Sequence, residues 1–265
     1  MDTFYQILLP GLVAPLALSL VLATLTLRLH WQGAWGVALI WLISYFWLRG
    51  LPSLPPREAA DWLWLIGLAT LAAAVIPYVS RWRWLWLSGL LAVYLAVIAW
   101  PVMRHDGSVM LFVEFVVVVA AGAASIQRLI DGQATAFDAL TMAIVSAGYA
   151  VVAALGGSLL VGLLSGALAA ALGGYALYEL MPRRKATLLP VRAALLASIW
   201  LLCLMFIGCV YAGLPLGTLA LLLAALVLNR VLPVRGLGQA VMIAGIPTVS
   251  ALAWLVLTQD SSSYY

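Results

Sequence analysis

One acidic residue, Glu114, stands inside an otherwise apolar run, Met110-Leu111-Phe112-Val113-Glu114-Phe115-Val116-Val117-Val118-Val119. An ionisable group held in hydrocarbon costs about 2.5–3.5 kcal/mol and normally faces a bundle interior or a wet cavity. Two kinds of chemistry fit such a residue. It is either the proton-coupling carboxylate of a carrier, or a glutamate that ties two helices together, with Arg104 or Arg49 as the nearest basic partners. A carrier needs further polar groups around that carboxylate. Thr141, Ser146, Tyr149, Thr248 and Ser250 are the substrate- or proton-coupling candidates of similar depth. A scaffold needs none of them.

The remaining reactive residues argue against an enzyme. His30 and His105 fall on opposite sides of the apolar segments and cannot share a metal or a haem. Cys203 and Cys209 lie six apart in one apolar run, on different faces of a helix, and read as buried thiols rather than a disulfide. Gly156-Gly157-Ser158-Leu159 has the look of an intramembrane serine nucleophile, but no helix-embedded histidine is present to serve as its base. Asp138 falls in a first helical turn, where an acid complements the helix dipole. Glu179 precedes Arg183 by four, the favourable order for an interfacial pair. No phosphate loop or zinc pattern occurs, so no catalytic residue, metal or cofactor is expected.

The elements that must position these residues follow from composition. Hydrophobic residues make up 66% of the chain and charged residues 8%, against about 25% charged in soluble domains. An all-α integral membrane bundle is the class that remains. A bilayer core needs about 20 apolar residues per helix. Ten segments meet or approach that: 5–27, 33–50, 61–80, 84–103, 108–127, 136–157, 159–181, 193–213, 214–232 and 238–257. Two divisions are unmarked by charge, and Gly156-Gly157-Ser158 and Ala212-Gly213-Leu214-Pro215 supply the breaks. The first segment lacks a basic n-region and reads as a retained helix.

Basic residues sort by side. Arg28, Arg81, Arg83, Arg128, Arg183, Arg184, Lys185, Arg192, Arg230 and Arg235 occupy odd-numbered gaps between segments, and only Arg49, Arg57 and Arg104 occupy even ones. Cytoplasmic loops carry the Lys/Arg excess, which puts odd gaps inside and both termini outside. Trp82, Trp84 and Trp86 sit at one such hairpin and Trp47, Trp62, Trp64 and Trp100 at the outer level, as an aromatic belt would. The basic residues are dispersed anchors for the lipid bilayer, not a nucleic-acid patch.

The chain divides into residues 1–130, residues 131–258 and a polar tail, 259–265. A shift of 135 residues lays Leu54, Pro55, Arg57 and Ala59 on Leu189, Pro190, Arg192 and Ala194, in what read as matching linkers. Five segments per half make this a 5+5 inverted-topology repeat, a layout common in secondary transporters. The architecture resembles that of the drug/metabolite transporter superfamily, which also has ten helices in two halves; those transporters usually have cytoplasmic termini, and this chain's charges place them outside. The resemblance implies a carrier. Ser158, Gly162, Gly166, Ala170 and Gly174 form a small-residue stripe for close helix packing, inside the fold or across a homodimer. The expected function is a secondary transporter of a small apolar or amphipathic solute in the bacterial inner membrane, possessing no enzymatic activity. The alternative is a non-catalytic subunit or assembly factor bound to partner membrane subunits.

Overall fold

The computed structural model describes residues 13–18, 21, 33–52, 56, 58–75, 83–105, 109–130, 136–179, 189–232 and 236–262. Every named element among them is helical. In chain order they are α1 (Gly33–Arg49), a 3₁₀ turn (Ala59–Trp62), α2 (Leu63–Val75), α3 (Arg83–His105), α4 (Val109–Ile130), α5 (Ala136–Leu155), α6 (Leu159–Glu179), α7 (Leu189–Ala212), α8 (Leu216–Val231) and α9 (Leu237–Ser262). These fall on the last nine expected segments, but α9 continues through Ser262 into the expected polar tail. Segment 5–27, both termini and the basic residues Arg28, Arg57, Arg81, Arg183, Arg184, Lys185 and Arg235 lie wholly or mainly outside the described residues. Helices α3, α5, α6 and α9 are long and apolar enough to cross a membrane, and the other five contain shorter apolar stretches.

The two breaks unmarked by charge form where glycine permits them. Gly157 adopts φ 96° and Gly213 φ 63°, a region that side chains with a Cβ rarely enter. After α5, the Ser158 N–H turns back to the Ala153 carbonyl at 2.9 Å, satisfying an orphan acceptor of the last turn. After α7, the Leu214 N–H reaches the Gly208 carbonyl at 3.3 Å, and Pro215 then caps α8. The start of α7 differs from expectation. Leu189 through Ala194 read as linker, yet they are helical from Leu189 onward, because proline is tolerated in a first turn that needs no N–H from it. Of the residues aligned with them, Ala59 opens the 3₁₀ turn, while Leu54, Pro55 and Arg57 lie outside the described residues.

Helix α7 is the axis of the bundle. Every residue from Leu196 through Cys209 is buried, and α7 packs against α1, α2, α3, α4, α5, α6 and α8. A helix that is apolar on all sides has to be surrounded. Trp200 stacks on Trp41 of α1 with ring centroids 4.7 Å apart. The Trp41 indole N–H donates to the Leu164 carbonyl of α6 at 3.3 Å, so one side chain ties three helices. The shift of 135 residues pairs α7 with α2, whose packing partners are α1, α7 and the 3₁₀ turn. The two helices therefore hold unequal places.

Helices α5 and α6 form a close hairpin. A Cβ added at Gly162 would fall 2.8 Å from the Ala150 carbonyl oxygen and 3.2 Å from Ala154. Overpacking of that kind typically costs about 1–3 kcal/mol. Gly162→Val should lower the thermal unfolding midpoint in detergent clearly, whereas Gly89→Ala, with nothing within 4 Å of the new atom, should not; equal midpoints for the two variants would contradict the close hairpin.

Candidate functional site

Among the described residues, α5 carries more buried polar or charged residues than any other helix, although others are spread through the bundle. Asp138, Thr141, Ser146 and Tyr149 are all buried, and at 3.6 residues per turn they fall along one side of the helix. That side meets α7: Ser198 Oγ donates to Met142 Sδ at 3.4 Å, and the Tyr149 hydroxyl donates to the Leu204 carbonyl at 2.7 Å. Thr141 satisfies its hydroxyl within its own helix, on the Phe137 carbonyl at 2.8 Å. Ser146 Oγ, and Ser165 Oγ on α6, have no hydrogen-bond partner among the described residues.

Tyr149 reaches the α7 backbone because Gly208 leaves room. A Cβ at Gly208 would lie 2.1 Å from the Tyr149 hydroxyl oxygen. The hydroxyl also interacts with the Gly208 backbone, and so sits at the Leu204-to-Gly208 step of the α7 ladder. The neighbouring Cys209 lies within electrostatic range of Tyr149 on one side and of Glu114 on the other. Phe115 meets Phe206 edge to face at 6.3 Å, which fixes α4 beside the same stretch of α7. Glu114 of α4 and Tyr149 of α5 thus both approach the stretch of α7 from Leu204 to Cys209.

Glu114 itself is half-buried and makes no hydrogen bond or ion pair among the described residues. Of the five polar candidates, Tyr149 is the one placed against the stretch of α7 that Glu114 approaches. Thr141 and Ser146 lie nearer the start of α5. Thr248 and half-buried Ser250 belong to α9, which packs on α5 and α8. The Thr248 hydroxyl is taken by the Ala244 carbonyl at 2.7 Å. Its methyl group occupies the space over Gly148, 2.0 Å from where a Cβ would stand. Within the small-residue stripe, Gly162, Ala170 and Gly174 are buried, while Ser158 and Gly166 are half-buried. Among the described residues no group of His, Cys, Asp or Glu is arranged to hold a metal, and Cys203 and Cys209 are buried free thiols.

No protein-family model, curated protein or solved structure matches this chain.

A second polar cluster escaped the sequence reading. Arg49, considered above as a partner for Glu114, instead pairs with Glu58 and with Asp61 Oδ1, the latter at 3.4 Å. The Glu58 N–H donates to Asp61 Oδ2 at 3.3 Å, and the Tyr45 hydroxyl donates to the Ala60 carbonyl at 2.9 Å. The Glu58 side chain is 64% exposed and that of Asp61 only 4%, so Asp61 is the acid that needs the arginine. The available signal was Glu58-Ala59-Ala60-Asp61 before an apolar run, the spacing of a reciprocal cap. The cluster clasps the end of α1 to the start of α2. Arg49→Gln should cost about 2 kcal/mol of stability by taking the arginine away from the buried Asp61 carboxylate, and adding Asp61→Asn should recover part of it; thermal melts of the two variants check this, and an undiminished midpoint for Arg49→Gln would contradict the clasp.

Proposed function

We propose that this chain is a polytopic α-helical protein of the bacterial inner membrane, with about ten spans and both termini outside. We further propose that it acts as a secondary transporter of a small apolar or amphipathic solute, coupled to protons through Glu114. Its apolar exterior supports the membrane reading. Trp86, Val93, Trp100, Val116, Val249 and Leu257 are among many large apolar side chains exposed around the bundle, a surface that invites association in water and suits lipid. The pairing of α3 with α4 recurs as α8 with α9, and α1 with α2 as α6 with α7, in keeping with a 5+5 inverted repeat whose halves have diverged.

The observation that carries the transport reading is the line of polar groups through the apolar core. It runs from Asp138 along α5 to Tyr149 and across Cys209 to Glu114. Buried polar side chains in a membrane bundle are costly, and they mark ion or substrate paths when they face inward. In this reading Glu114 exchanges a proton from the outer side. The polar side chains of α5 supply the inner part of the path.

A second reading, a non-catalytic subunit, draws on one observation. Glu114 stands half-buried beside Phe112, Val113, Val116 and Val117, all exposed on α4, a flank that a partner helix would cover.

Glu114→Gln should abolish solute-driven proton movement in proteoliposomes while leaving protein abundance intact; unchanged movement removes Glu114 from the mechanism. Single cysteines introduced at positions 2 and 263 should both react with an impermeant maleimide added outside intact cells. Protection of either one overturns the topology.

A further inference from the structure

Where α5 and α7 meet, each presents a glycine, and one leucine fills the space beside both. Gly156 directly follows α5 and Gly208 lies in α7. A Cβ added at Gly156 would collide with Leu214 Cδ2, and one at Gly208 would fall 2.8 Å from Leu214 Cδ1. Leu214 belongs to neither helix. It stands in the turn between α7 and α8, buried, while Gly213 just before it is exposed. A single side chain from a turn is thus seated like a peg between the ends of two helices.

The turn is freer to move than the helices around it. The α7 helix is anchored on two sides close to its end: the Tyr211 hydroxyl donates to the Ile98 carbonyl of α3 at 2.8 Å, and the Tyr149 hydroxyl of α5 donates to the Leu204 carbonyl at 2.7 Å. Past that anchorage come Gly213 at φ 63°, Leu214, and Pro215 at the N-cap of α8. The Leu214 N–H reaches the Gly208 carbonyl at 3.3 Å, longer than a usual N–H···O bond. Glycine occupies both signs of φ readily, so rotation at Gly213 swings Leu214 outward without unwinding α7. Its withdrawal leaves a slot, because neither glycine has a Cβ to fill the space. Behind that space lie buried Cys209 and Tyr149, and Glu114 is within electrostatic range of the Cys209 thiol.

We propose that Leu214 is the peg of a releasable latch, which closes the α5–α7 seam at the outer end of the bundle and opens a way to Cys209 and Glu114 when the α7–α8 turn swings out. That the latch controls the proton's route rests on the carrier reading; its release does not.

The two native cysteines of the full chain report on it. Cys203 is fully buried and lies nearer the middle of α7. A membrane-impermeant maleimide is added to intact cells and, separately, to inside-out vesicles, and modification at each position is followed by mass spectrometry. From outside, Cys209 should react about tenfold faster than Cys203, as a local opening confined to the latch requires. In the double variant Gly156→Cys with Leu214→Cys, oxidation should join the introduced thiols and bring Cys209 down to the Cys203 rate, and reduction should restore it. Leu214→Ala, which removes the peg, should raise the Cys209 rate further and leave Cys203 slow. Equal rates at the two native cysteines from either side overturn the latch. Introduced thiols that do not join, or a Cys209 rate that survives their joining, overturn it as well. Reaction of Cys209 from inside-out vesicles alone would sustain the latch and overturn the topology. A latch that releases in a protein moving no solute would stand without the carrier reading, whereas solute movement undiminished in the joined variant would keep the carrier and overturn the latch's part in it.

Discussion

The bundle is organised by the need to surround α7. From Leu196 to Cys209 this helix has no polar side beyond Ser198, which is itself buried, and seven other helices close around it. Several fixed contacts follow from that demand. Trp200 needs a flat partner and finds Trp41, whose indole N–H then needs an acceptor and finds α6. Gly208 admits the Tyr149 hydroxyl to the α7 backbone, and Phe206 sets Phe115 of α4. Removing the axis would leave each of these groups without a surface to pack on.

A core built this way has little tolerance for stray polarity, and some of its hydroxyls are neutralised locally. Ser44, Ser125, Thr141 and Thr248 each donate to the carbonyl four residues earlier in their own helix, the cheapest arrangement where water is absent. Other buried hydroxyls are not treated in this way, on several helices. Among them, Ser146 and Tyr149 belong to α5 and Ser165 to α6, which packs on it, while Glu114 of α4 approaches the same stretch of α7 as Tyr149. Their shared position gives the transport reading its content. The clasp of Arg49, Glu58 and Asp61 belongs to a different category: it joins the ends of two consecutive helices and spends its charges on each other.

Helix identity was legible in the sequence, because apolar runs, glycine breaks and proline punctuation are local signals. Gly157 and Gly213 divided long runs that no charge divided, and the chain turns at both. Boundaries near proline were less legible, as the early start of α7 at Leu189 illustrates. Pairing between helices was largely invisible. Depth estimates grouped Thr248 and Ser250 with Glu114, but depth says nothing about azimuth, and α9 packs on α5 and α8. Arg49 was assigned across the bundle when its acids were nine and twelve residues away in the same hairpin. The central place of α7 had a readable trace in Leu196–Cys209, a run apolar on every face; segment length alone did not separate it from helices that face outward on one side.

The claim that matters most is that this chain forms a self-sufficient carrier around that axis. Gentle extraction from native membranes, followed by mass measurement of the intact particle and its co-purifying chains, tests it most directly. The account predicts a particle made of this chain alone, as a monomer or a homodimer. Stoichiometric partner subunits seated on the α4 flank would contradict it and assign the protein to a larger membrane complex.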